Sequence, residues 1–495
     1  MCGILGVSRG REARTVAPLL KLLEHRGPDG KGLWHDDHHT FGHTRLSIID
    51  LEGGGQPMSG ADGRMHVTFN GEIYNYQQLR QAMGEGVFRT HSDTEAILGL
   101  AQTGSLPEVW VRKLDGMFAF ALADGADLML ARDPLGIKPL YIGQVKGAMA
   151  FASELKALVG RASHISEFPP GHVFHVKSGL KCYWRLERAA KDIQDAREAK
   201  AGLRERLERA VRTRLIADVP VGVFLSGGLD SSLIAALARR HKHPLDTFSV
   251  GTEGSPDRLL AWQVAAFLGT RHHERVYDIE EAIEALPEVI YHLESFDCAL
   301  VRSAVPNFFL AKLASQHVKV SLSGEGADEL FAGYEYLKDI PADALDAELL
   351  NITSALHNTN LQRCDRMSMA HGLEVRVPFL DDLEVVQYAF RIPARLKRYG
   401  TEGIEKWILR MVAQDVLPEN IAWRKKMKFA AGAGLGDKLA VFADKQISDG
   451  DFRRQREIAD GTFLGSKEEL LYYRIFRQMY PRDELIPLVG RSRSV

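Results

Sequence analysis

The sequence predicts two successive domains: an α+β half dominated by short strands, then an α/β half on a parallel sheet with a helical C-terminal part. Three observations carry this reading. At 495 residues the chain exceeds one ordinary domain, and roughly 150 residues per domain gives two to four. The first 185 residues alternate short β-type runs, such as His66–Phe69 and Met117–Leu122, with Gly and Asp turns. Further on, strands and amphipathic helices alternate, the pattern of a parallel sheet whose ligand site lies at the strand C-termini.

From Glu187 to Arg214 the composition shifts to Ala, Arg, Lys and Glu, with Leu203, Leu207 and Val211 at helical spacing. The boundary is therefore set near Arg185, giving a first domain at 1–185, a linker and helix start at 186–200, and a second domain at 201–495. Val219–Leu225 reads as a strand, Ser226–Asp230 as a turn and Ser231–Arg240 as a helix. Strands follow at Asp246–Gly251 and Val318–Ser323, with a helical stretch before the second, and the remainder from about Glu348 reads as mostly helical.

Hydrophobic residues make up 45% and charged residues 26%, a globular balance that excludes a disordered or collagenous chain. Lys+Arg at 63 nearly cancels Asp+Glu at 65, so the net charge of -2 points away from nucleic acid and anionic membranes and toward small-molecule substrates. Cysteines at 2, 182, 298 and 364 show no C-x-x-C spacing, which argues against a disulfide framework or structural zinc. With no signal-peptide pattern in Met1–Gly6 and no run of about 18 apolar residues, a cytoplasmic protein that spans no membrane is expected.

Cys2 becomes the first residue if Met1 is removed, placing a thiol beside a free α-amine that can act as its general base. A thiol that hydrolyses an amide also needs an oxyanion hole and groups for the substrate's charges. Asn70-Gly-Glu-Ile-Tyr-Asn75, following an apolar strand, offers an amide, a glycine N–H and the Glu72 carboxylate. Arg45 suits a bidentate carboxylate clamp, and Asp93 suits an α-ammonium. Together with His25-Arg-Gly-Pro-Asp-Gly30 and Ser92-Asp-Thr-Glu95, these segments resemble the class II glutamine amidotransferases. The resemblance implies an Ntn-type αββα sandwich in which Cys2 is the nucleophile and Asn70 and Gly71 form the oxyanion hole. It also implies that Arg45, Leu46, Ser47, Ile48, Ile49, Asn70, Gly71, Glu72 and Asp93 hold glutamine.

In the second half, Ser226-Gly-Gly-Leu-Asp-Ser-Ser232 lies between a strand and a helix, where backbone N–H groups and the helix dipole suit a phosphate chain. No Gly-Lys-Ser/Thr follows the glycines, so it is not a Walker A loop. Ser323-Gly-Glu-Gly-Ala-Asp-Glu329 follows another strand and carries three carboxylates. Asp328 is suited to share Mg²⁺ with Asp230, because that ion prefers carboxylate and phosphate oxygens. Glu325 is suited to take a proton from attacking ammonia.

The first of these loops resembles the PP-loop of enzymes that cut ATP between the α and β phosphates (adenine nucleotide α-hydrolase-like). That likeness implies pyrophosphate on Ser226, Gly227, Gly228, Ser231 and Ser232, adenine near Leu225 and Val250, and Ser323 and Gly324 beside the nucleotide. With Cys364–Asp381, both halves are similar to the glutamine-hydrolysing asparagine synthetase B family. This implies ATP, Mg²⁺, glutamine and aspartate as small-molecule partners, a homodimer, Glu325 beside the acyl-adenylate and Lys426 on pyrophosphate. Two features depart from the family's familiar form. Met427-Lys-Phe-Ala-Ala-Gly432 stands where Glu-Gln-Phe-Ser-Asp-Gly is usual, leaving Lys425 and Lys428 as alternatives to Lys426, and the chain is somewhat shorter. A relative that amidates another carboxylate is the competing expectation, and Arg302 and Arg376 are candidate acceptor clamps.

Overall fold

The computed structural model describes residues 2–84, 86, 88–400, 403–427, 429–459 and 461–493. The chain divides into two compact units, one formed by Met1–Arg185 with Ala217–Val219 and Met369–Glu374, the other by Leu186–Ile216, Pro220–Ser368 and Val375–Val495.

The first unit contains, among its described residues, β1 (Gly3–Val7), β2 (Gly30–His35), β3 (Thr40–Arg45), β4 (Met58–Ser59), β5 (Met65–Ile73) and β6 (Gly116–Asp124). It continues with β7 (Asp127–Arg132), β8 (Tyr141–Val145), β9 (Ala148–Ala152), β10 (Ser163–Glu167), β11 (His172–His175) and β12 (Gly179–Cys182). They form two antiparallel six-stranded sheets, ordered β10-β8-β9-β1-β3-β2 and β12-β11-β7-β6-β5-β4. Ile4, Phe41 and Phe151 of the first sheet pack with Ala119, Ala121 and Leu130 of the second in one buried cluster. The segment Ala17–Arg26 covers β1 and β3, and helix Thr94–Ala101 covers β5, giving the αββα layering that the resemblance implied. Burial on both faces explains why Met117–Leu122 reads as an unbroken apolar run rather than an alternating one.

The second unit is built on β13 (Val221–Phe224), β14 (Asp246–Gly251), β15 (Arg271–Val276), β16 (Val320–Leu322) and β17 (Glu374–Arg376), ordered β15-β14-β13-β16-β17. β13 runs parallel to β14 and β16, and β14 to β15, so the loops after β13 and β16 leave the same sheet edge. The helix start expected within 186–200 lies at Ala196. Asp195 caps it, accepting from Arg197 N–H and Glu198 N–H at 2.9 Å each, and the capped turn rather than composition sets the start. The other strands and helices expected in this half are present, with ends displaced by a residue or two.

Lys397, at the end of helix Ala394–Lys397, is fully buried 5.0 Å from the Phe390 ring, and its Nζ has no hydrogen-bond partner among the described residues. Burial, helped by the Lys191 charge, pushes this ammonium down to about 7. The unfolded chain keeps the proton up to the ordinary lysine range, so between pH 7 and about 10.4 it binds more protons than the folded protein, and stability rises with pH across that window. Lys397→Met is expected to abolish the rise and to stabilise the protein by on the order of 3 kcal/mol at pH 7. Denaturant unfolding at pH 7 and 9.5 checks both effects.

Candidate active sites

In the first unit, Cys2 leads β1, a central strand between β9 and β3. Its backbone N–H donates to Asn70 Oδ1 at 3.0 Å, and its carbonyl accepts from Arg26 Nε at 3.0 Å. Arg26 is fixed in turn by Glu154 at 2.7 Å, an almost fully buried ion pair, and Glu154 also holds His25 Nε2 at 3.1 Å. The cysteine backbone is thereby held at both ends. Burial pushes the Cys2 thiol up, against the opposing pull of the Leu46 N–H and the Arg45 guanidinium, so its proton has to be removed as it attacks.

Asn70 spends its oxygen on Cys2, and its fully buried Nδ2 has no partner among the described residues. A buried donor left unpaired costs about 1–3 kcal/mol, a cost that an oxyanion bound there would remove. Asn70 and Gly71 do not follow the strand, as the sequence suggested. They lie within it, paired in register with Ala119 and Phe118 of β6. A Cβ at Gly71 would sit 2.0 Å from the Met117 carbonyl oxygen, so glycine is what allows β5 to lie so close to β6. Asn70→Ala is expected to lower kcat for glutamine hydrolysis by about 10²–10³-fold, measured as glutamate release.

The segment after β3 folds back under Arg45, whose guanidinium donates to the carbonyls of Leu51 at 2.9 Å and Asp50 at 2.6 Å. Here Arg45 braces the loop instead of presenting a free fork. Leu46, Ile48 and Ile49 are buried by that loop, and the Ser47 N–H donates to Asp29 at 2.8 Å. Asp93 is buried beside Glu72, to which it is hydrogen-bonded, and accepts from the Ile73 N–H at 2.9 Å. Burial pushes the Asp93 carboxyl up despite these bonds, a cost that a substrate ammonium would offset.

In the second unit, the loops after β13 and β16 open onto a cavity of about 650 Å³. Of the residues singled out from sequence, Leu225, Ser226, Gly228, Asp230, Ser231, Val250, Arg302, Ser323, Gly324, Glu325, Asp328, Lys425 and Lys426 line it. Gly227 and Ser232 do not: Ser232 is fully buried, and the Gly227 carbonyl accepts from Arg424 at 3.1 Å. Lys428 lies outside the described residues. The loop is tied by Ser231 Oγ, which accepts from the Ser226 N–H at 3.1 Å and lies 3.0 Å from Ser226 Oγ.

Asp230 and Asp328 converge on one ammonium, that of Lys406, at 2.6 and 2.5 Å, and Lys426 also pairs with Asp328 while lying 4.6 Å from the Tyr334 ring. Burial pushes the Asp230 carboxyl up against Lys406. Burial acts on Asp328 in the same direction, but the two ammonium groups outweigh it and hold that carboxyl well below the usual range. Asp230 Oδ1 is buried with no partner among the described residues, an orphaned hard oxygen of the kind that Mg²⁺ takes. Glu325 is ion-paired with Arg363, and burial together with the Asp328 and Asp230 charges pushes its carboxyl up, making it a better proton acceptor. Glu329, hydrogen-bonded by Tyr334 and Asn360, is pushed up to about 7 by burial and the Asp328 and Glu325 charges.

Arg302 lines the cavity and Arg376 does not, and both guanidinium groups already have partners. Arg376 is buried and donates to the carbonyls of Arg214 at 2.9 Å and Ile216 at 2.6 Å, and Arg302 is engaged by Glu468 through both Nε and NH2. The guanidinium beside Glu325 is that of Arg363.

Residues 1–168 match the family model described as a glutamine amidotransferase domain, and 202–349 with 338–492 match that described as asparagine synthase. The chain is 38% identical to asparagine synthetase [glutamine-hydrolyzing] 2 of Arabidopsis thaliana, over 100% of this chain and 90% of the relative. It is also 38% identical to asparagine synthetase B [glutamine-hydrolyzing] of Escherichia coli (strain K12), covering 100% and 94%. The chain belongs to the glutamine-hydrolysing asparagine synthetase family. A probable asparagine synthetase of Dictyostelium discoideum is 36% identical, over 99% of this chain and 96% of the relative.

Within this family member, motif reading singled out the acids, the loops and Lys426 but missed the other cations that partner the acids, Arg26, Lys406 and Arg363. Arg26 lay inside a quoted motif without a role, and its signal was a charged residue in an otherwise Gly/Pro-rich turn. Lys406 and Arg363 carry no local signal. They come to the cavity from a turn and a helix 176 and 38 residues away in sequence from their partners.

Proposed function

We propose that this chain is a glutamine-dependent asparagine synthetase, with residues 1–185 releasing ammonia from glutamine and residues 201–495 activating aspartate. The observation that carries the reading is the coexistence of a tethered Cys2 beside the orphaned Asn70 Nδ2 and a carboxylate-bearing loop pair around one cavity. Family membership over the full chain supports it.

In the first half-reaction Cys2 Sγ attacks the glutamine side-chain amide while its α-amine, freed by removal of Met1, takes the thiol proton. Asn70 Nδ2 and the Gly71 N–H stabilise the oxyanion, and ammonia leaves before water hydrolyses the glutamyl thioester. Arg45 through Ile49, Glu72 and Asp93 form the glutamine pocket, where Asp93 and Glu72 meet the α-ammonium. In the second, the β-carboxylate of aspartate attacks the α-phosphate of ATP, giving β-aspartyl-AMP and pyrophosphate. Ammonia then displaces AMP, with Glu325 accepting its proton. The loop at Ser226 and Gly228, with Ser231 and Lys426, holds the phosphates, with Leu225 and Val250 on the adenine side. Asp230 and Asp328 would hold Mg²⁺, which when bound neutralises phosphate charge.

A homodimer in the cytoplasm completes the proposal, and no helix of the described residues is long and apolar enough to cross a membrane. Pyrophosphate release with MgATP and glutamine, compared with and without aspartate, tests it. Aspartate-dependent release is expected, and glutamate production without pyrophosphate would replace aspartate by another acceptor.

A further inference from the structure

Lys406 is placed at a cost that its surroundings have to maintain. It is a non-glycine residue at φ 53°, the left-handed region, at the N-terminus of helix Trp407–Ala413, with its backbone N–H on the Phe331 carbonyl at 3.1 Å. Its side chain is only 4% exposed, and its Nζ lies 2.6 Å from Asp230 Oδ2 and 2.5 Å from Asp328 Oδ1. Gly333 makes room for this reach. A Cβ there would stand 1.9 Å from Asp328 Oδ1 and 2.1 Å from Lys406 Cε. Lys426 contacts Asp328 alone, so among the described residues Lys406 is the cation that spans both carboxylates.

We propose that the Lys406 ammonium competes with the divalent cation for Asp230 and Asp328, so that these carboxylates bind metal weakly by themselves and tightly only when the metal arrives with nucleotide. The inference rests on the assignment of the two carboxylates as metal ligands. A unit positive charge within hydrogen-bond distance of two part-buried carboxylates cancels much of the field that would draw in Mg²⁺, while holding both oxygens converged for it. A metal entering with a triphosphate brings further anionic oxygens, so the displaced ammonium is left with negative charge to face rather than buried alone. Lys406 is in this sense a positioning residue that sets binding order and keeps free Mg²⁺ from occupying the site unproductively.

The test is Mn²⁺ binding to the full-length protein in the absence of nucleotide, read from the electron paramagnetic resonance signal of free Mn²⁺. Lys406→Met is expected to tighten nucleotide-free Mn²⁺ binding by at least about 10-fold, the scale of one lost charge–charge contact. Lys406→Arg, which keeps the cation, should leave it within about twofold of the unaltered protein. Adding Asp230→Asn to Lys406→Met should remove the gain. Unchanged Mn²⁺ affinity in Lys406→Met, with weaker Mn²⁺–ATP binding in Asp230→Asn, would overturn the competition while keeping the ligand assignment. A gain that survives Asp230→Asn would overturn both. Should Lys406→Met fail to unfold cooperatively, Lys406→Gln supplies the same reading.

Discussion

Cys2→Ala is expected to abolish glutamine-dependent asparagine formation, by on the order of 10⁴-fold or more, and to leave ammonia-dependent formation at its original rate. The split follows from the placement of the two chemistries. Cys2 Sγ is the attacking atom for glutamine, and its backbone is held by Asn70 and Arg26 within the first unit. Alanine preserves both backbone bonds and removes only the sulfur, so the β1 pairing with β3 and β9 is undisturbed. The second unit's cavity is lined wholly by residues of that unit, and ammonia added from solution serves it directly. Equal loss with both nitrogen donors would contradict the division of labour. The measurement is asparagine formed per minute with glutamine and, separately, with ammonium chloride at pH 8.

Asp230→Asn is expected to produce the converse. Pyrophosphate release and asparagine formation should fall by about 10³-fold with either nitrogen donor, whereas glutamate release from glutamine should continue. The substitution is isosteric and removes one of the two carboxylates that converge on Lys406, together with the orphaned Oδ1 available to a metal. Lys406 keeps Asp328 at 2.5 Å, so the buried ammonium is not left without a counter-charge and the fold survives. A chelator should mimic the variant, stopping pyrophosphate release without stopping glutaminase activity. Loss of both activities would point to unfolding, which the thermal transition of the variant distinguishes.

Chemistry carried by contiguous residues was legible in the sequence. Ser226–Ser232 between β13 and its following helix, and Ser323–Glu329 after β16, read as site loops because strand, turn and helix signals are local. One place escaped. Asn70 and Gly71 have poor strand propensity and were read as following the strand, yet register pairing with Ala119 and Phe118 keeps them in β5, since sheet context outweighs propensity. Within the 186–200 linker, where composition alone favours helix throughout, the Asp195 cap fixes the start. Cations were the larger omission. Arg26 meets Glu154 across 128 residues and Lys406 meets Asp230 across 176, and pairings at such separations are set by topology, which no local pattern encodes.

The central claim is that nitrogen released at Cys2 ends on aspartate activated at the second site. It is tested most directly by supplying amide-¹⁵N glutamine, aspartate and MgATP and following the label by mass spectrometry. The account predicts asparagine labelled in its side-chain amide, formed one for one with AMP and pyrophosphate. Labelled ammonia with no asparagine, or asparagine formed with ADP in place of AMP, would contradict it.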